Sequence, residues 1–319
     1  MIQDNPKETE SQSFSFQGDG SNIIHGRKWL PTQQKIRAVL IINHGMAEHI
    51  DRYDSFAVFL ASQGIAVYGE DHRGHGKTAG SKENLGYFAD EKGWMKVIGD
   101  IRALYLLVIE EQKEVPVLML GHSMGSFLTR HYLSLYGSEI HAAIISGTGD
   151  QPSIVLSLAS LISNLEAALK GKRHRSQLMD KLSFGSNNKK FKTESSHGFE
   201  WLSRDAEKTR QYVEDPYCGF VCTCGFYSDL TTGLKIIGRQ RCYDSTPNLL
   251  PLLFYSGKDD PVGNFGKGVE RVASSYRKSG NQDVTVVLKD KMRHECLNEL
   301  ERDDCYKDIF SWIDSQLKS

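Results

Sequence analysis

Several features that would narrow the possibilities are missing from this chain of 319 residues. Lys plus Arg number 39 against 40 Asp plus Glu, so no general electrostatic field would gather nucleic acid or an anionic surface. Six cysteines are too few to frame a small secreted fold, and they read as free thiols. Cys218, Cys222, Cys224 and Cys242 raise a zinc question, but their spacing lacks the paired C-x2-C knuckles of structural sites, and no metal is assigned. No run approaches the roughly 18 uninterrupted apolar residues that span a bilayer. The segment from Met1 to Glu10 is polar, without a basic region leading into an apolar one, so no signal peptide is expected and a cytoplasmic location is the default. No internal repeat or low-complexity tract stands out.

What is present suits a globular enzyme with a sizeable core: 39% hydrophobic and 25% charged residues. Ser11 to Phe16 and Asn22 to Trp29, joined by a Gly18-Asp19-Gly20 turn, predict an opening antiparallel hairpin. Ala38 to Asn43 is a continuous apolar run, the pattern of a strand buried on both faces of a mainly parallel sheet. Ile65 to Tyr68, Val117 to Leu120, Ala142 to Ile145, Leu250 to Tyr255 and Val284 to Leu288 repeat it. Helical patterns fall between them at Asp54 to Gln63, Trp94 to Gln112, Met124 to Tyr136, Lys267 to Ser279 and Asn298 to Leu317. The expected class is therefore α/β, with a mostly parallel, doubly wound sheet. The alternation stops between Gly149 and Thr246, which predicts a core of residues 1–149 and 247–319 and a helical cap of residues 150–246 over the carboxyl ends of the strands.

Gly121-His122-Ser123-Met124-Gly125 has the G-x-S-x-G form. In a chain with 29 glycines the letters alone are weak, but here they sit between a buried strand and a helix. A chain that turns sharply there needs small flanking residues, which makes Ser123 the candidate nucleophile. A serine hydroxyl needs a base and a carboxylate behind that base, in the chain order Ser, acid, His. The loop after the Leu250 to Tyr255 strand offers Asp259 and Asp260, and spacing does not choose between them. The loop after the next strand offers His294. Of the competing histidines, His122 lies on the turn itself, and His131 and His141 lie within or beyond the following helix. Two backbone amides should meet the oxyanion, one from Met124 and one from Met46 in the glycine-containing loop His44-Gly45-Met46-Ala47-Glu48-His49.

Gly74-His75-Gly76-Lys77-Thr78 resembles parts of two nucleotide-binding motifs. A phosphate loop would need glycine where this chain has the anionic Asp71, and no helix start follows, so a structural loop is expected. His72-x2-His75 and His44-x4-His49 suggest metal ligands, but neither falls on a helix face with a third ligand in view.

These residues together resemble the monoglyceride lipase and lysophospholipase branch of the α/β-hydrolases, often grouped with the serine aminopeptidases. The likeness rests on Asn43-His44-Gly45 with Glu48-His49 and Arg52-Tyr53, on Asp71-His72-Arg73-Gly74-His75-Gly76, on Gly121 to Gly125, on Gly257-x-x-Asp260, and on Arg293-His294-Glu295 with Asn298-Glu299. It implies Ser123, Asp260 and His294 as the triad, Met46 and Met124 as oxyanion donors, no cofactor, and Glu48 and Arg52 near the glycerol end of a pocket. The bland reading of that last pair is a surface salt bridge.

The expected function is hydrolysis of a lipophilic monoester, monoacylglycerol first, with a lysophospholipid or a short-chain ester as alternatives. A hydrolase fold that only binds a small apolar ligand is the reading from another class. In the cap, Ile154, Val155, Leu158, Leu161, Ile162, Leu165 and Leu169 recur at helical spacing. Their stripe is expected to pack on the core and line an acyl pocket. The neighbouring basic run Lys170, Lys172, Arg173, His174 and Arg175 keeps transient membrane or micelle contact as the alternative.

Overall fold

In the computed structural model, residues 9–192 and 196–318 are described. Thr9–Gln17 (β1) and Ile23–Pro31 (β2) form the opening hairpin. Then come Ala38–Asn43 (β3), Ile65–Glu70 (β4), Val117–His122 (β5), Ala142–Ser146 (β6), Leu252–Gly257 (β7) and Val284–Lys289 (β8). They make one eight-stranded sheet in the order β1-β2-β4-β3-β5-β6-β7-β8. The hairpin and the β2–β4 pair are antiparallel; every later pair is parallel.

Strand β3 accounts for the layering. Alternate side chains point to opposite faces, so a strand apolar at every position must be covered on both sides. Val39 and Ile41 join the helices Gly93–Glu111 (α2), Met124–Tyr136 (α3) and Lys267–Lys278 (α9). Ala38, Leu40 and Ile42 join Asp54–Ser62 (α1) and Arg302–Gln316 (α10) on the other face. The parallel strands end on one rim, where the loops after β3, β5, β7 and β8 gather.

Among the described residues five α-helices and a short 3-10 turn at Asn187–Lys190 intervene between β6 and β7: Ser153–Lys170 (α4), Gln177–Phe184 (α5), Ala206–Glu214 (α6), Cys224–Ile237 (α7) and Gln240–Asp244 (α8). Here one expectation is overturned. Of the apolar stripe of α4 only Ile162 packs against the core: Ile154, Leu158, Leu161, Leu165 and Leu169 are between 57% and 78% exposed, and Val155 is 49% exposed. What α4 buries is a mixed side, Leu156, Ser163 and Glu166 with half-buried Ala159 and Ile162, and the helix packs against α7. Ser163 meets Ser228, and Glu166 accepts a hydrogen bond from the Ser176 hydroxyl. The helix has apolar residues on more than one face, and small residues gave the closer approach. By length and composition α4 could cross a membrane, at 18 residues and a mean hydropathy of 1.3. The basic run past its end works as a tether. Arg175 donates to the carbonyls of Leu85 and Val221, Arg173 to the Asn84 side chain, and Lys172 to the Asp90 carbonyl.

The Asp71 to Gly76 motif is also structural. Asp71 accepts the amides of Ile50 (3.0 Å) and Lys77 (2.8 Å), closing the loop that sequence set against a phosphate site. Arg73 donates to both carboxylate oxygens of fully buried Asp100 on α2, at 2.5 and 2.9 Å, and Asp100 also accepts the Asp19 amide from the hairpin turn. Removing one partner strands a buried charge, so Arg73→Met should cost about 3–5 kcal/mol of stability, read as a lower urea midpoint at unchanged slope. A midpoint within experimental error of wild type would show that Asp100 needs no cation.

Candidate active site

Ser123 occupies the turn between β5 and α3 with φ 53° and ψ −118°, a conformation that side-chain-bearing residues rarely adopt. Its amide donates to the Ser146 carbonyl at 2.9 Å, tying the turn to the neighbouring strand. The flanking glycines have a steric cause. A Cβ on Gly125 would lie 1.9 Å from the Asn43 carbonyl oxygen, and one on Gly121 would lie 2.3 Å from that of Gly125. Helix α3 thus starts against the end of β3. Met124 is its first residue, so its amide has no carbonyl one turn back to bond.

His294 and Asp260 reach the same rim from the loops after β8 and β7. The Nδ1 of His294 lies 3.0 Å from Oδ2 of Asp260, an ion contact whose N–H direction falls short of a linear hydrogen bond. Asp260 is fully buried, and its other oxygen accepts the Val262 amide at 2.8 Å. Asp259, which spacing left open, turns instead toward Lys190 at 3.5 Å with 39% of its side chain exposed. The His294 ring is flanked by His122 and Trp201, with centroids 4.6 and 5.0 Å away. Burial alone would disfavour the imidazolium, yet the carboxylates of Asp260, Glu295 and Glu48 outweigh it and raise the His294 pKa. Burial and the nearby His294 charge push His122 down to about 3, leaving it neutral.

The loop after β3 passes close to the serine: a Cβ on Gly45 would sit 3.2 Å from that of Ser123. Glu48 holds this loop, its Oε1 accepting the Gly45 amide at 2.5 Å and the Tyr53 hydroxyl at 3.0 Å. Its Oε2 accepts from Arg52 at 2.5 Å, and the same guanidinium forks onto Glu295 with two bonds of 2.7 Å. This is no surface pair, because Glu48 and Glu295 are 3% and 5% exposed. Burial raises the Glu48 pKa against the pull of Arg52, whereas the fork from Arg52 overcomes burial and brings Glu295 down to about 2. Behind the loop, the Nε2 of His44 accepts the His72 amide at 3.0 Å, and the His44, His72 and His75 rings cluster. Burial holds all three neutral, with His72 at about 3 and His75 at about 4.

A cavity of about 240 Å³ joins these parts. Ser123, His294, Met46, Glu48 and His122 form its floor, while Phe184, Phe199, Trp201, Leu202 and Phe220 from the cap form apolar walls. Arg52 stands behind, against the Tyr212 ring, and does not line it. No residue of α4 lines it either. Sequence reasoning gave no role to Trp201, whose carbonyl receives the His294 amide at 3.4 Å while Leu202 receives that of Glu295 at 2.8 Å. The signal available was a tryptophan beside a polar stretch inside the insertion, which periodicity cannot place.

A parallel sheet with helices on both faces and a strained serine between β5 and α3 defines the α/β-hydrolase class, and within it a serine ester hydrolase. The chain belongs to the serine aminopeptidase S33 family, whose model matches residues 34–301. It is 28% identical over 306 residues to a monoacylglycerol lipase of Mycolicibacterium smegmatis, covering 95% of this chain and 97% of that protein. A thermostable carboxyl esterase from Bacillus coagulans, solved in complex with glycerol, superposes with a TM-score of 0.86 at 26% identity, over 96% of this chain and 99% of the other. A lipase in its open form reaches 0.88 at 25% identity, over 97% and 100%.

The charges around His294 give a pH signature. A folded pKa raised above the unfolded value contributes stability that is full below the unfolded pKa and is lost as pH rises through the folded one. Asp260→Asn removes the nearest anion, so the imidazole should titrate at lower pH by nuclear magnetic resonance, and the mutant's deficit in stability should shrink as pH rises. An unmoved titration would mean that Asp260 does not govern this ring.

Proposed function

We propose that the protein hydrolyses monoacylglycerols or closely similar lipophilic monoesters through an acyl-enzyme on Ser123. The observation that carries the reading is the shared cavity, with the strained serine and the Asp260-backed imidazole on its floor and apolar cap residues around it. Ser123 attacks the ester carbonyl as His294 takes its proton, and the amides of Met46 and Met124 meet the developing oxyanion. His294 then returns the proton to the leaving alcohol; water, deprotonated by the same ring, releases the acid. Asp260 orients the imidazole and stabilises its charge. Glu48 and Arg52 act as positioning residues, since Glu48 has both oxygens engaged and Arg52 lies outside the cavity. That saturation also favours an ester over a peptide with a free amino terminus, for which Glu48 would have to be an open anchor. The relatives supply the substrate class: a monoacylglycerol lipase by sequence and an esterase holding glycerol by structure.

A fluorophosphonate should label wild-type protein and leave Ser123→Ala untouched. In a panel of monoacylglycerols, lysophosphatidylcholine, aryl esters and prolyl amides, the monoacylglycerols should give the highest kcat/KM. Preference for the amides would overturn the lipase reading, and an unlabelled wild type would point to a binding protein.

The exposed leucines of α4 support contact with a lipid surface in the same reading. Leu178 and Leu182 on α5 are 49% and 58% exposed, while Phe184 at the end of that helix lines the cavity, so an apolar exterior adjoins the site. Both ends of α4 remain fastened, by Asp150 to Arg271 and by the basic run to residues 82–90, which fits a helix lying on a bilayer rather than crossing it. Leu158→Ser with Leu165→Ser should weaken co-sedimentation with phosphatidylcholine vesicles by at least about tenfold while sparing hydrolysis of a soluble aryl ester. Unchanged sedimentation would remove α4 from the contact.

A further inference from the structure

We propose that His49, Asp215 and Cys218 form a binding site for one zinc-type divalent cation that staples the cap to the core. Sequence alone did not suggest it, because the three residues lie on segments far apart in the chain. His49 ends the loop that carries Gly45 and Met46, whereas Asp215 and Cys218 sit in the cap turn after α6. One ligand atom from each falls within 4.8 Å of the others, and the Nε2 of His49 is 2.9 Å from Oδ2 of Asp215. Tetrahedral zinc, with bonds of about 2.0–2.3 Å, needs ligand atoms roughly 3.3–3.6 Å apart, so small side-chain rotations suffice. Among the described residues this is the one group of His, Cys and carboxylate side chains so gathered, and Cys218 alone of the four cysteines weighed above belongs to it.

The surroundings suit a soft or borderline cation. Thiolate with imidazole selects zinc over magnesium or calcium. His49 and Asp215 line a polar cavity with Gln211 and Lys208, which leaves access for the ion and a place for water as fourth ligand. Arg52 lies near Cys218, but its charge is already offset by Glu48 and Glu295. Burial keeps the Cys218 thiol protonated in the free protein; binding would form a metal–sulfur bond and release that proton to solvent. The same turn is already docked, since the Gly219 amide and the Tyr212 hydroxyl both donate to the Ala47 carbonyl, at 2.9 and 3.0 Å. An ion there would fasten the cap to His49, three residues after Met46.

The test uses the full chain stripped with a chelator. Zinc titrated calorimetrically should bind one equivalent and raise the melting temperature. Cobalt(II) should produce a near-ultraviolet thiolate charge-transfer band. Cys218→Ser should abolish the band and weaken zinc by at least about tenfold, as should His49→Gln for zinc. The metal-free Cys218→Ser protein should react with fluorophosphonate at the wild-type rate, which separates loss of the site from loss of the fold. Absence of the cobalt band in wild type, or its persistence in Cys218→Ser, would overturn the proposal whatever ester is hydrolysed.

Discussion

The contact between the first turn of α3 and the end of β3 is the constraint from which the site follows. Gly125 lies so close to the Asn43 carbonyl that any side chain there would collide, and this closeness forces the chain at Ser123 into a left-handed turn. Such a conformation costs on the order of 1–3 kcal/mol and persists only where surrounding structure over-determines it. Here β5, buried at every position, fixes one side, and the Ser123 amide bonded to Ser146 fixes the other. The same approach carries the loop after β3 alongside the serine, where a Cβ on Gly45 would crowd Glu48 Oε1 at 2.6 Å and the Ser123 Cβ at 3.2 Å. One packing decision therefore sets both the raised hydroxyl and the neighbouring amides.

A second layer of control is electrostatic. Arg52 serves two buried carboxylates unequally: its fork engages both oxygens of Glu295, while Glu48 receives a single bond. Burial raises Glu48, helped by the charge of Glu295, whereas the Arg52 fork, His122 and the Asn298 side-chain amide together overcome burial and lower Glu295. A buried ion cluster of this kind is weak evidence for stability, since desolvation offsets much of its attraction. Its evident effect is geometric, because Glu48 holds the Gly45 amide and Glu295 immediately follows His294. The serine-side loop and the histidine loop are thus referred to one guanidinium.

How much of this was legible depended on the kind of signal. Runs such as Ala38 to Asn43 and Val117 to Leu120 named their strands, because a segment apolar at every position has few other places to go. The turn at Ser123 followed from its place between one such run and a helix. Asp260 differed from Asp259 only through burial and its approach to His294, neither of which spacing encodes; family likeness supplied that choice. The face of α4 was misjudged because hydrophobic periodicity identifies an apolar stripe without saying whether water or protein covers it, and Ser163 and Glu166 made the closer contact. The role of Trp201 was not legible because its position depends on a non-periodic cap segment meeting the loop after β8. Of the histidines weighed as ligands, His44, His72 and His75 cluster behind the loop after β3, where His44 accepts the His72 amide, while His49 points to the cap turn at Asp215.

The attachment of that cap segment bears on how the cavity can be reached. Around residues 199–205 the cap is bolted to the histidine loop: Arg293 donates to the carbonyls of Glu200 and Ser203, Ser203 to that of Asn298, and Arg204 to fully buried Glu299. Lifting this part would break charge-assisted bonds and carry Trp201 away from the imidazole it flanks, disabling the base in the act of opening. The other walls are held by fewer charged bonds, although Phe184 stacks on Trp201 at 5.9 Å and the Gly219 amide beside Phe220 donates to the Ala47 carbonyl at 2.9 Å. Phe184 belongs to the short helix α5, two of whose leucines already face outward, and Phe220 lies in an irregular stretch. Displacing α5 exposes apolar surface, which is costly in water and favourable against lipid. The fold therefore ties residues 199–205 to the loop that holds His294, while the α5 wall carries exposed leucines on its outer side.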